Sequence, residues 1–319
     1  MRKSTQAFIE HARRVPGFSW FDTLHGYIYA RWPYFYIGSV LNQPRTLRPF
    51  LRFAERLINQ RGAAEQARHT STAPVTNSTT IADTYHGKVV PLDEAKHLVQ
   101  INEPVNLTTP EHIVPFALAR DIVLDHPDHI VVLDCPCRMA RLNAGEEPCL
   151  PLDVCLIIGE PFASFILDHQ PNHARQITPD EAVDILKAED ERGHVHHAFF
   201  KDAMLQRFYA ICNCCSCCCG AMSAHRNGIP MLISSGYVCQ ADEARCVGCG
   251  ACVKQCQFDA LSVQDGHVVM DAAACMGCGV CTNVCPKGAL SLVRAPDRPA
   301  PLEIETLMRD PSTRFARSG

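Results

Sequence analysis

The sequence predicts an α+β protein in three parts: a helical N-terminal arm, a small cysteine-rich α/β module, and a C-terminal unit built as a pseudo-twofold repeat of a β-hairpin and a short helix. Three observations carry this reading. The spacing C-x2-C-x2-C-x3-C occurs at 246–256 and again at 275–285. Upstream lie a β-branched run, "IVVL" at 130, and a capped helical segment, "ITPDEAVDILKAEDERG" at 177–193. The first 68 residues hold eleven Lys or Arg against four Asp or Glu, whereas the remainder is acidic by eleven charges.

With 319 residues, 47% of them hydrophobic and 20% charged, the chain has material for a real core and more than one unit. Residues 1–61 form the basic arm. Both tryptophans, Trp20 and Trp32, and four of the seven tyrosines lie in "WFDTLHGYIYARWPYFY". From 46 to 61, Leu47, Phe50, Leu51, Ala54, Leu57 and Ile58 share one helical face and Arg48, Arg52 and Arg56 another. Such a segment suits the membrane interface, or equally a surface of a partner subunit or of the protein's own α/β unit. Asp22, His25 and Arg31 interrupt the aromatic stretch, and no apolar run approaches the roughly 20 residues that a spanning helix needs. The Ala, Ser and Thr-rich stretch 62–80 reads as a flexible linker. The cysteine-rich module follows at 81–237, the duplicated unit at 238–294 and a proline-containing tail at 295–319, with a short docking element expected at "LEIETLM".

The nineteen cysteines sit largely at C-x-C and C-x-x-C separations, too short for an unstrained disulfide framework. Met1 is followed by charged and polar residues rather than a signal-type apolar run. The expectation is reduced thiolates in a cytoplasmic chain, used for metal.

The two C-terminal blocks, "CVGCGACVKQCQ" and "CMGCGVCTNVCP", are offset by 29 residues, and the echo continues into "ALSV" and "ALSL". Three thiolates at this spacing wrap one cubane, and the fourth lies too far along to join them. On these residues the stretch 238–294 resembles a bacterial two-cluster ferredoxin. The resemblance implies one 4Fe–4S cluster on Cys246, Cys249, Cys252 and Cys285, and a second on Cys275, Cys278, Cys281 and Cys256. "ALSVQDGHVVM" is expected to form two strands joined by a turn at Asp265 and Gly266. The departure from the family is Gln257, where a proline is usual.

Eleven cysteines remain. Cys135 and Cys137 in "DCPCR" are expected just past a strand end, with Cys149 and Cys155 completing a C-x-C-x11-C-x5-C set. Four thiolates without histidine suit a 4Fe–4S cluster or structural zinc, and softness alone does not separate them. In "AICNCCSCCCG", Cys212, Cys214, Cys215, Cys217, Cys218 and Cys219 place six thiols within eight residues. In an extended chain Cys212 and Cys214 face one way and Cys215, Cys217 and Cys219 the other. A cubane takes four, so at least two of the six have another role, and Cys239 adds a seventh candidate. One further cluster with spare thiols, two clusters shared with the Cys135 set, a cluster beside a redox dithiol, and a zinc knot all remain open.

Two helices are expected in this module. One spans 177–193, with Thr178 as N-cap, Glu181 closing a capping box and Gly193 stopping it. The other lies around 115–125, between Pro115 and Pro127. His194, His196 and His197 follow the first helix and are expected to be solvent-exposed, with metal ligation or proton relay as the alternative.

The function these features predict is single-electron transfer through two 4Fe–4S clusters and one or two further iron–sulfur clusters in the middle module. Its partner would be a redox protein or a membrane redox complex. The protein would be cytoplasmic, with peripheral contact at the cytoplasmic face of a membrane through the arm. Two alternatives are an iron–sulfur oxidoreductase whose upstream cysteines are catalytic and a module that delivers metal or clusters. No nucleotide or flavin signature appears, and an acidic chain without a recognised motif argues against nucleic acid.

Overall fold

In a computed structural model of the chain, residues 1–41, 85–116 and 119–315 are described. The amphipathic segment 46–61 and the linker 62–80 lie outside them.

Eight strands form one sheet, ordered β2-β3-β4-β7-β6-β1-β8 with β5 paired to β3. They are β1 (Tyr85–Val89), β2 (Val105–Thr108), β3 (Asp121–Asp134), β4 (Asp153–Glu160), β5 (Ala174–Ile177), β6 (Val195–Lys201), β7 (Arg207–Cys214) and β8 (Leu232–Ile233). Helices cover both faces, so the strands are apolar on both sides rather than alternating. One layer buries Val131, Leu133, Ile157, Phe199 and Ala210 under α1 (Lys3–Arg14), α2 (Trp20–Arg31) and α6 (Phe162–His169). The other buries Ile130, Val132, Leu156, Ile158, Phe208 and Ile211 under α4 (Leu92–Val99), α7 (Pro179–Glu191) and α11 (Ile304–Arg309).

The helix expected around 115–125 is absent: Asp121 to Leu124 are strand, paired with Val105 to Thr108. Pro127 does not end a helix. It sits at a register shift in β3, between Asp125 and Ile130, where a strand tolerates proline. β-branched Ile122 and Val123 and two-sided burial outweigh the helical reading. The capped helix is present as α7: Thr178 Oγ1 accepts from the Glu181 amide. The reciprocal half of the box is not made, because the Glu181 carboxylate pairs with Arg175 at 2.6 Å.

The described part of the arm packs on the protein's own sheet. α3 (Pro33–Leu41) follows α2, and Phe8, Ala12, Tyr29 and Ala30 enter the same core as Phe162 and Phe165. Thr5 Oγ1 bonds His169 Nε2 at 2.9 Å and the Tyr29 and Tyr209 hydroxyls meet at 2.8 Å. A Cβ on Gly26 would collide with the Ala203 carbonyl and Phe8, which is why α2 can lie so close. Trp20 and Phe21 of α2, Trp32 just after it and Phe35 of α3 stay exposed.

The C-terminal unit contains α9 (Ala251–Gln255), β10 (Leu261–Gln264), β11 (His267–Met270), α10 (Val280–Val284) and β12 (Leu290–Arg294). The expected hairpin is present, with Asp265 and Gly266 both at positive φ between β10 and β11. β12 pairs with β9 (Tyr237–Ala241), and the chain then returns to the first domain. The docking element is α11, whose Ile304 and Leu307 are buried under β2 and α4, while α5 (Pro136–Asn143) and α8 (Gly220–Arg226) carry the module's cysteine loops.

Lys88 ties the returning segment down. Fully buried, its Nζ donates to Ile113 O (3.1 Å) and Ala300 O (2.7 Å). Burial, then the Arg294 charge, lowers its pKa from 10.5 to about 7. Between these values the unfolded chain holds a proton the native one lacks, so this group makes stability rise with pH and costs most below about 7. The stability of wild type relative to Lys88→Met is expected to rise from pH 7 to pH 10 in thermal melts at fixed salt. A flat difference would contradict the assigned burial cost.

Candidate metal centres

Each ferredoxin loop turns on glycine. Gly250 and Gly279 cap α9 and α10 at φ +71° and +90°, a region open to glycine at little cost. Cys246, Cys249, Cys252 and Cys285 line one cavity together with Gly248, Val263, Val268 and Leu290. Three of these thiols come from the first block and one from the second. In the other group, Cys256 faces the charges of Cys281 and Cys275, and Cys278 those of Cys281, Cys256 and Cys275. Backbone amides point at the sulfurs: Val268 N to Cys246 (3.4 Å), Ala260 N to Cys256 (3.3 Å), Cys239 N to Cys275 (3.4 Å) and Ala289 N to Cys285 (3.3 Å). Burial pushes the Cys252, Cys256 and Cys278 thiols up. Crowded buried thiols with amide donors aimed at sulfur fit a bound polycation, which would compensate the charge that the apolar surroundings oppose.

The two quartets differ in position. Cys249 is exposed and its neighbour Val247 is 59% exposed. Met276, Val280 and Cys278 instead join the core of the α/β module. Cys239, a candidate companion of the 212–219 run by sequence, lies elsewhere: its amide donates to Cys275 Sγ and its thiol raises the pKa of Cys281, both in the second quartet.

The upstream thiols form two groups, and neither is the C-x-C-x11-C-x5-C set. Cys155 on β4 lies directly across from Cys212 on β7, their sulfurs 3.4 Å apart. The period of two puts Cys214 on the same face, where all three pack in the core beneath the N-terminal helices. Cys135 caps α5 and Cys219 caps α8. Cys135 and Cys137, Cys137 and Cys219, and Cys219 and Cys214 are near enough that each pair shifts its members' ionisation. Six thiols thus meet below the strand ends. Cys149 leaves the set, because the loop after α5 carries it out to Cys215, Cys217 and Cys218. These four sulfurs lie within 4.8 Å of one another. A hydrogen bond from Cys215 lowers the Cys218 thiol to about 5, outweighing burial.

The three histidines are not exposed. They are buried at the start of β6, because the chain after α7 turns straight into the sheet. His194 Nδ1 lies 2.6 Å from Glu189, which also takes Arg138 Nη2 at 2.7 Å. Burial alone would raise the Glu189 pKa, but bonds from His194 and Arg138 hold it below the ordinary range. His196 Nδ1 meets Asn213 Oδ1 at 2.6 Å, and its Nε2 lies 3.8 Å from Asp190. Asn283 Nδ2, between Cys281 and Cys285, donates to Asp190 at 2.6 Å. His197, opposite Cys212, is lowered by burial to about 3. Sequence reasoning does not single out Arg138, Asn213 or Asn283. Their adjacency to cysteines is the signal that points to them.

Gln257, the departure from the ferredoxin pattern, has a structural role. Its Oε1 accepts the Ser216 amide at 2.7 Å, joining the loop after Cys256 to the thiol run.

The profile of the 4Fe-4S dicluster domain family matches residues 245–289. A search of curated proteins finds no match to the chain. The C-terminal unit is therefore a dicluster ferredoxin domain, which carries two 4Fe–4S clusters and implies an iron–sulfur electron-transfer role. The remaining cysteine groups are compatible with further metal.

Two variants probe these sites. At Gly277 (φ +64°) a Cβ would strike the Tyr237 carbonyl and Ser235 Oγ. Gly277→Ala is expected to lower iron by about four per chain, the content of one cubane; unchanged iron would show the close approach to be dispensable. Gln257→Pro, the residue usual in the family, is expected to keep the ferredoxin iron while hydrogen exchange at the Ser216 amide accelerates roughly fivefold, or about 1 kcal/mol. Unaltered exchange at 216 would refute the link.

Proposed function

We propose that this protein conducts single electrons between redox partners along one path, from the exposed Cys249 side of the ferredoxin domain to the buried six-thiol centre. The observation that carries this reading is the order of the sites. Cys249 of one quartet is exposed, Cys278 of the other packs on the α/β core, and of the six thiols Cys155, Cys214 and Cys219 are buried in that core with Cys212 packed against it. A 4Fe–4S cluster, when bound, accepts and releases one electron at a time. Cys246, Cys249, Cys252 and Cys285 would hold the first, and Cys275, Cys278, Cys281 and Cys256 the second. Four of Cys135, Cys137, Cys155, Cys212, Cys214 and Cys219 would hold a third.

A pseudo-twofold plan for the ferredoxin domain is supported by α9 and α10, five residues each and offset by the repeat length, and by the matching bonds Ala260 N to Cys256 and Ala289 N to Cys285. Among the described residues no helix is long and apolar enough to cross a membrane. Exposed Trp20, Phe21, Trp32 and Phe35 support docking of α2 and α3 on a redox protein or on a membrane redox complex. The free thiols support a reducing, cytoplasmic setting.

One observation favours a second reading, as an oxidoreductase: six thiols meet where a cubane uses four, leaving two for chemistry beside buried His197. Burial of Cys155, Cys214 and Cys219 speaks against the delivery reading, since a released metal needs access.

Iron and acid-labile sulfide on anaerobically prepared full-length protein are expected near twelve per chain, falling to about eight in Cys155→Ser/Cys212→Ser/Cys214→Ser, which leaves too few thiols for a cubane, with loss of one reduced-state EPR signal. About eight irons in both proteins would sink the extended path.

A further inference from the structure

The quartet Cys149, Cys215, Cys217 and Cys218 differs in kind from the ferredoxin quartets. Its four sulfurs lie within 4.8 Å of one another, with Cys149 3.1 Å and Cys218 3.6 Å from Cys217. Among the described residues no other group of three or more His, Cys, Asp or Glu draws its ligand atoms so close. The eight ferredoxin cysteines, in the same chain, do not. The difference has a simple origin. A cubane gives each thiolate its own iron and spreads the four apart, whereas one tetrahedral ion with metal–sulfur bonds of about 2.3 Å holds its sulfurs about 3.8 Å from each other.

We infer that Cys149, Cys215, Cys217 and Cys218 bind a single zinc ion in a closed, structural site of four thiolates. Thiolate softness and tetrahedral spacing select zinc over harder cations. The surroundings match the charge of such a site, since four thiolates on one divalent ion leave two negative charges. Arg141 donates to the Cys217 carbonyl and Arg226 to the Ser216 carbonyl, which sets two guanidinium groups on this loop. The Cys149 amide donates to Cys218 Sγ at 3.4 Å, a further orienting contact of the kind that holds metal ligands in place. All four positions of the ion are filled by sulfur, so the site has no open coordination for substrate.

The ion would staple two loops that no disulfide joins: the β3–β4 connection carrying Cys149 and the β7–α8 connection carrying the other three. Its purpose follows from the neighbours on that second loop. Cys214 and Cys219 flank it and belong to the six-thiol centre, and Ser216 bonds Gln257 of the ferredoxin domain. Zinc here therefore fixes the position of the buried thiols without taking part in electron transfer, and the inference does not rest on that reading. It also divides the six cysteines of 212–219, with Cys215, Cys217 and Cys218 on the ion and Cys212, Cys214 and Cys219 in the buried centre.

The test is metal analysis and zinc K-edge X-ray absorption on full-length, iron-loaded protein purified anaerobically, with Cys149→Ser and Cys217→Ser alongside. Expected are about one zinc per chain with four sulfur neighbours at about 2.3 Å, and loss of zinc in both variants with the roughly eight ferredoxin irons retained. Zinc absent, zinc bound through oxygen or nitrogen, or zinc retained in both variants overturns the assignment. Loss of about four irons from either variant of a wild-type chain that holds no zinc overturns it in favour of a cubane. The absorption measurement on the wild-type chain decides even where a variant fails to fold.

Discussion

A thiolate in an apolar interior is costly unless a cation shares its charge, and this structure concentrates that cost below the ends of β3, β4 and β7. Cys155, Cys214 and Cys219 are buried there, and neighbouring thiols, then burial, push the Cys135 and Cys212 thiols well above their ordinary range. A chain that brings such groups together without metal gains little. The free energy of binding a polycation to preformed thiols is also free energy of folding. On the proposed function, the loops that enter α5 and α8, which carry Cys135 and Cys219, are placed by this constraint.

Strand pairing makes the concentration possible. The antiparallel register of β4 with β7 sets Cys155 opposite Cys212, and β6 with β7 sets His197 opposite Cys212 and His196 opposite Asn213. Because side chains alternate, the thiols take one face while Leu156 and Ile211 take the other. The N-terminal helices close the thiol face from above. Their aromatic content thus has two destinations. Tyr29 reaches Tyr209 in the core, whereas Trp20 and Phe35 remain outside.

The ferredoxin domain is joined to the module by several polar contacts rather than by chain connection alone. Gln257 meets Ser216, Asn283 meets Asp190, and Ser235 donates to Gly277 O at 2.6 Å. Apolar contact through Met276 and Val280 adds to these. The contacts lie beside Cys256, Cys278 and Cys281, so the second quartet is held against the module while the first remains at the surface.

Much of this protein is legible from local patterns. The repeated cysteine spacing, the Asp265-Gly266 turn, the strand before Cys135 and the Thr178 cap each depend on neighbours a few residues away. Where tertiary context competes, local reading fails: "ARDIVLDHP" is helical by its flanking prolines yet becomes strand because β2 and β4 pair with it. The histidines after α7 look like a polar turn and become sheet interior. The grouping of the upstream cysteines also lies beyond sequence spacing. Cys149 is six residues from Cys155, but it stays in the loop before β4 while Cys155 lies in the strand, and Cys215 parts from Cys214 at a strand end. Which residues can bind metal, and how the ferredoxin ligands repeat, follow from the chain alone, because they depend on thiol chemistry and short spacing. Which upstream thiols meet follows only from the folded arrangement, because it depends on strand register between segments more than fifty residues apart.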